Sequence, residues 1–164
     1  PDEIELKSER RIDYNKLRNL LAAGKWKEAD EETARVMLQA ANREDEGWLR
    51  VEDLENFPCE DLRTINQLWL HYSKGKFGFS VQKEIYQNLG GKREYNEEVW
   101  EKFADTVGWR VKNGWPDYKD ITFDLSAPRR HLPGGDLWKV GKWEDGRWMV
   151  SGGGVRVLLS HRDL

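Results

Sequence analysis

The sequence has a single cysteine among its 164 residues and no long apolar run. Cys59 cannot form an internal disulfide, which is typical of a protein in a reducing compartment. No stretch approaches the roughly 18 apolar residues of a membrane-spanning helix, and no signal peptide opens the chain. We therefore expect a soluble, intracellular domain. Because the chain begins at Pro1 rather than at a methionine, we also expect it to be a processed or excised piece of something longer.

The sequence also lacks a large excess of charge of either sign. Thirty acidic residues stand against 27 basic ones, which gives a formal charge of −3. Without a basic excess or a basic run, the sequence has no electrostatic footprint for nucleic acid. The length corresponds to one domain. We expect a monomer in which residues 1–12 form an N-terminal extension and residues 13–164 form a single domain.

Catalytic motifs are equally scarce. The histidines His71, His131 and His161 are dispersed and show no metal-binding spacing. The sequence contains neither a GxSxG elbow nor a GxxxxGK[ST] phosphate loop. The acidic pair Glu60 and Asp61 lies at a predicted helix start, where the helix dipole alone accounts for it. The sequence therefore favours a binding or regulatory protein over an enzyme.

Apolar residues recur at spacings of three and four, which predicts an all-α domain of several helices with long aromatic-rich loops. Ser80 is the predicted cap of the helix that it begins. The segment from Lys142 to Val150 contains an Asp-Gly pair between aromatic residues, which suits either a small C-terminal hairpin or an ordered loop. The predicted helices are Asp13–Gly24, Lys25–Ala41, Val51–Asn56, Pro58–Tyr72, Ser80–Leu89 and Asn96–Thr106.

Aromatic residues are abundant, with nine tryptophans in the chain and two phenylalanines flanking Gly78 in one short loop. Loops normally expose few apolar groups, so Phe77 and Phe79 need a cover. That cover is either the protein's own core or a ligand. Tryptophan carries the same ambiguity, because its large ring fills a core while its N–H suits a cavity wall or an interface.

A ligand site would combine these apolar residues with a basic segment near residue 130. Arg129, Arg130 and His131 stand beside Leu132 and could bind carboxylates while apolar side chains cover a flat ligand. An aromatic-rich core with a solvated basic loop explains the same residues. The candidate ligand-binding residues are Leu70, Phe77, Phe79, Trp115, Phe123, Arg129, Arg130, His131 and Leu132.

Four segments resemble the Genomes Uncoupled Four family, the tetrapyrrole-binding proteins of oxygenic phototrophs. They are LLAAGKWKEADEETARVML, FPCEDLRTINQLWLHYSKGKFGFSVQKEIY, FADTVGWR and ITFDLSAPRRHLP, in this order. The resemblance implies an α-helical domain shaped like a cupped hand, whose loops form an apolar surface for protoporphyrin IX or its magnesium complex. It also implies a non-catalytic protein that stimulates magnesium chelatase in chlorophyll biosynthesis through the large porphyrin-binding subunit.

The same resemblance assigns residues. It places Leu70 and Phe79 on the apolar surface and Arg129 opposite the ligand's propionates, with Trp115 and Leu132 in a loop that closes over the ring. His71 or His131 is a candidate axial ligand to a porphyrin metal. Cys59 is a candidate for covalent attachment of a linear tetrapyrrole.

Alternatives remain at this stage. Arg130 replaces the glycine usual after the first arginine, and relatives of this domain also occur in multidomain cyanobacterial proteins. Three functions therefore stay open. The chain is a chelatase regulator, a sensory or interaction module that binds a bilin or no ligand, or an enzyme acting on tetrapyrroles, for which no residue pattern argues. We expect it in the cytoplasm of a cyanobacterium, with possible membrane association, or in a chloroplast.

Overall fold

The computed structural model describes residues 4–46, 49, 51–92, 96–107, 158–159 and 161, together with the backbone of residues 143–144 and 147–148. The helices in this part confirm the predicted all-α class. Strands β1 (Trp143–Glu144) and β2 (Arg147–Trp148) pair antiparallel, so a short hairpin forms in the segment where the sequence left the hairpin open. The helices are α1 (Asn15–Ala22), α2 (Trp26–Ala40), α3 (Val51–Glu55), α4 (Cys59–Tyr72), α5 (Phe79–Asn88) and α6 (Glu97–Val107).

Helices α1 and α2, joined by a short turn, pack against each other as an αα-hairpin, and α1 also packs against α4. The turn between them depends on Gly24, which has a φ of 70°. Its N–H donates to the Leu21 carbonyl at 3.1 Å, and the Lys25 N–H donates to the Leu20 carbonyl at 2.9 Å. These two bonds define a Schellman motif, whose left-handed residue is usually glycine. The stop predicted at Gly24 is confirmed.

Three aromatic rings lie at the centre of the core. Trp26 and Trp69 lie 6.1 Å apart, and the Phe77 ring meets both edge-on at 5.7 and 6.4 Å. The Trp69 indole N–H donates to the Thr33 hydroxyl at 2.9 Å, and this hydroxyl donates to the Ala29 carbonyl at 2.7 Å. Burying a tryptophan without a partner for its N–H is costly, so this chain of bonds fixes the contact between α2 and α4.

The N-terminal segment, residues 4–12, is held against the start of α4 by Asp61. The buried Asp61 carboxylate accepts hydrogen bonds from the hydroxyls of Ser8 and Tyr14. It also accepts one from the Glu9 N–H at 3.0 Å. A buried carboxylate requires such donors, so the helix dipole alone is a wrong explanation for Asp61. Burial and the bond to Asp61 raise the pKa of the Tyr14 hydroxyl well above its usual range.

Two leucines in the last described segment also join the core. Leu158 and Leu159 are fully buried. The Lys83 amine on α5 donates to the His161 carbonyl at 2.7 Å. Within the described residues, none of the helices combines the length and apolar character of a membrane span.

Candidate functional site

The loop between α4 and α5 contains Phe77 and lies next to Leu70, two of the predicted ligand residues. We call residues 73–78 the glycine loop. Ser73 is the C-cap residue of α4, and its hydroxyl donates to the Trp69 carbonyl at 2.6 Å. The same hydroxyl accepts the Phe77 N–H at 2.9 Å. One buried hydroxyl therefore ties the end of α4 to the far side of the glycine loop.

Gly78 lets the glycine loop approach α4 closely. Its φ of 141° is rare for any residue with a side chain. A Cβ atom added there would lie 3.1 Å from Asn66 Oδ1 and 3.2 Å from the Leu70 side chain. The same Asn66 oxygen accepts the Ser80 N–H at 3.0 Å. Helix α5 thus begins at Phe79 with Gly78 as its N-cap and no side-chain cap, so the cap predicted at Ser80 is wrong.

The three predicted ligand residues in this region differ in exposure. Phe77 and Phe79 have no exposed surface and belong to the hydrophobic core. Leu70, by contrast, is half-buried, although its neighbours Leu68 and Trp69 on α4 are fully buried. In the sequence, Leu70 falls off the three-and-four spacing along which the apolar residues of α4 recur, namely Leu62, Ile65, Leu68, Trp69 and Tyr72. Of these three residues, Leu70 alone offers an apolar surface to a ligand without rearrangement of the core.

The other candidate ligand residues lie outside the described part of the chain, and their roles stay predictions. They are Trp115, Phe123, Arg129, Arg130, His131 and Leu132.

Cys59 and His71 lie at opposite ends of α4. Cys59 is the first residue of the helix and is half-buried. At about 1.5 Å per residue, it lies roughly 16 Å along the helix axis from Leu70. His71 is exposed, and its ring meets the Tyr72 ring edge-on at 4.7 Å. The described residues hold no group of three or more metal-ligating side chains. Thiol attachment at Cys59 and metal ligation by His71 stay predictions.

The Asp61 network is the main feature that sequence reasoning missed. Ser8 and Asp61 lie 53 residues apart, and Tyr14 and Asp61 lie 47 apart. No local pattern links such positions. The available signal was an acidic residue placed next to the apolar Leu62 at the start of a buried helix face. Because all these bonds are structural, we assign Asp61 to the folding of the domain rather than to the ligand site.

Comparisons with known proteins identify the relatives of this fold. The model of the family described as GUN4-like matches residues 7–148. The Ycf53-like protein of Synechocystis is 38% identical over 131 residues, which are 78% of this chain and 53% of that protein. A chloroplastic tetrapyrrole-binding protein of Arabidopsis thaliana is 29% identical over 128 residues, which are 73% of this chain and 47% of that protein. The chain thus spans about half the length of these curated relatives.

A solved structure extends the match in three dimensions. The structure of GUN4 from Chlamydomonas reinhardtii has a TM-score of 0.77 to this chain at 28% sequence identity. The match covers 98% of this chain and 95% of that one. Family model, relatives and fold agree with the resemblance of the four sequence segments, and the chain belongs to the GUN4-like family.

Proposed function

We propose that this chain binds a tetrapyrrole and does not transform it. The observation that carries the proposal is the half-exposed Leu70 beside the glycine loop, in a chain related to a tetrapyrrole-binding protein of Arabidopsis thaliana. A flat macrocycle gains affinity by covering such an apolar surface. Phe77 and Phe79 flank Gly78, the residue that approaches the Leu70 side chain, and both rings are buried. We place the protein in a cyanobacterium or a chloroplast, where its relatives occur.

The ligand is proposed to be protoporphyrin IX or its magnesium complex. A porphyrin has a rigid, flat apolar face, whereas a linear bilin must be ordered before it can present one, and ordering costs conformational entropy. Arg129 and its neighbours, predicted from the sequence, would bind the acidic edge. A bilin remains the second ligand to test.

A fluorescence titration of the purified chain tests this proposal. Nine tryptophans give a strong signal, and Trp69 is the chain neighbour of Leu70. We expect saturable one-to-one quenching by magnesium deuteroporphyrin and weaker quenching by biliverdin. N-acetyltryptophanamide, measured in parallel, corrects for absorption by the ligand itself. Stronger binding of biliverdin would replace the porphyrin with a bilin, and non-saturable quenching by both would remove the binding function.

Regulation of magnesium chelatase is a second, separable part of the proposal. We propose that the loaded protein contacts the large porphyrin-binding subunit and raises the rate of magnesium insertion. The test measures the initial rate of a reconstituted chelatase with and without this chain. The porphyrin concentration is chosen so that this chain is saturated with ligand. A faster rate is expected. An unchanged rate at saturation would leave a tetrapyrrole-binding protein without this regulatory role.

A further inference from the structure

The stretch of chain around the proposed site is basic, although the whole chain is slightly acidic. Residues 62–83 contain no aspartate or glutamate. Arg63 lies near the start of α4, away from the glycine loop, and the Lys83 amine already donates to the His161 carbonyl. The glycine loop itself carries Lys74, which is exposed, and Lys76, which is half-buried.

Lys74 occupies a backbone position that disfavours it. Helices α1, α2, α4 and α5 all end in the same two Schellman hydrogen bonds, with one left-handed residue in each. Glycine and asparagine adopt that conformation most readily, whereas lysine pays a steric cost. The left-handed residues are Gly24 (φ 70°), Asn42 (φ 58°), Lys74 (φ 55°) and Gly90 (φ 88°). The helix dipole favours a lysine near this end of α4, but it does not require one at the left-handed position.

The glycine loop lies next to the exposed part of Leu70. The Gly75 N–H donates to the Leu70 carbonyl at 2.8 Å, and Gly78 abuts the Leu70 side chain. The Lys76 amine lies 5.7 Å from the centre of the Phe77 ring, which keeps it close to the core. The two amines therefore emerge from the loop that borders the proposed ring-binding surface.

We propose that Lys74 and Lys76 form a carboxylate-binding rim that holds the acidic edge of the ligand while its ring covers Leu70. Charge-assisted hydrogen bonds from ammonium groups to carboxylates would fix the orientation of the ring. The inference rests on the proposed tetrapyrrole binding. It adds a second set of cations for the acidic edge, besides Arg129 and its neighbours, and the statement that Lys74 is retained for binding at a cost in stability.

Variants at both lysines test this rim with two probes, magnesium deuteroporphyrin and its dimethyl ester. Lys74→Gly should raise the melting temperature of the free protein and weaken binding of the diacid about fivefold, as for one exposed ion pair. Lys76→Gln should also weaken binding of the diacid. Neither variant should change binding of the ester, which has the same ring without the charges. The double variant Lys25→Gln, Lys92→Gln removes two exposed charges elsewhere and should bind both probes normally.

The outcomes separate this inference from the function on which it rests. The rim alone would be overturned if the wild type binds normally but the lysine variants lose equal affinity for the diacid and the ester. It would also be overturned if those variants lose no affinity for the diacid. A lower melting temperature for Lys74→Gly would overturn the claim that this lysine is kept at a cost. Failure of the wild type to bind either probe saturably would overturn both the proposed function and the rim.

Discussion

Replacing Tyr14 with phenylalanine removes one hydrogen-bond donor from the buried Asp61 carboxylate and preserves the aromatic ring. The Tyr14 side chain is 1% exposed, and its hydroxyl lies 2.6 Å from Asp61 Oδ1. A hydrogen bond to a charged group contributes about 1.5–3 kcal/mol to stability. Since Ser8 and Glu9 still donate to the carboxylate, we expect the free energy of unfolding to fall by about 2 kcal/mol.

Two other tyrosines provide matched controls for the same substitution. The Tyr86 hydroxyl donates to the neutral Lys92 carbonyl at 2.6 Å, so Tyr86→Phe should cost about 1 kcal/mol. Tyr72 is half-buried, and its hydroxyl makes no hydrogen bond with the described part of the chain. Tyr72→Phe should therefore leave stability unchanged. The expected order of destabilisation is Tyr14, then Tyr86, then Tyr72.

Urea denaturation followed by circular dichroism measures all three variants on one scale, provided that the denaturant slope stays constant. A loss for Tyr14→Phe no greater than that for Tyr86→Phe would refute the reasoning. It would mean that the charge of Asp61 adds nothing to the hydrogen bond that Tyr14 donates.

Three further predictions concern pH, backbone and site. Because burial and the bond to Asp61 raise the folded-state pKa of Tyr14 above its usual value of about 10, its hydroxyl stabilises the fold fully below pH 10 and progressively less above it. The stability difference between wild type and Tyr14→Phe should therefore shrink in urea titrations above pH 10, and a constant difference would contradict this linkage. Gly78→Ala should lower the free energy of unfolding by about 1–3 kcal/mol. Gly75→Ala should lower it less, because a Cβ added at Gly75 would have no atom within 4 Å. Equal losses of stability would count against the tight contact between Gly78 and α4. Phe79→Ala should lower stability by about 3–5 kcal/mol, as for a core phenylalanine. If porphyrin affinity of the folded fraction does not fall as well, Phe79 has no role in the site.

The helices could be predicted from the sequence because their signals are local. The inward face of α2 recurs at helical spacing in the sequence, and all six of its residues are buried: Trp26, Ala29, Thr33, Val36, Met37 and Ala40. Gly24 marks the end of α1 because a left-handed residue is needed two positions after Ala22, the last residue of the helix. Local signals failed at Ser80, which looks like a cap in sequence. There the flexible Gly78 and the distant Asn66 side chain decide where α5 begins.

The site could be predicted only in part. Alternating glycine and phenylalanine in a loop do not show whether the aromatic side chains face the core or a ligand. The sequence could not decide whether core or ligand covers Phe77 and Phe79, and in the structure both are buried. Leu70 was identifiable because it departs from the period of its helix. The role of Asp61 was not, because its partners lie about 50 residues away, at separations of 47 to 53.

The central claim is that a tetrapyrrole ring covers Leu70, and a paired leucine substitution tests it most directly. Leu70→Gln and Leu20→Gln each place one amide on a half-buried helical position, on α4 and on α1 respectively. Titration with magnesium deuteroporphyrin should show affinity about tenfold weaker for Leu70→Gln, from the lost apolar contact, and wild-type affinity for Leu20→Gln. Equal affinities for the two variants would contradict a ligand surface at Leu70.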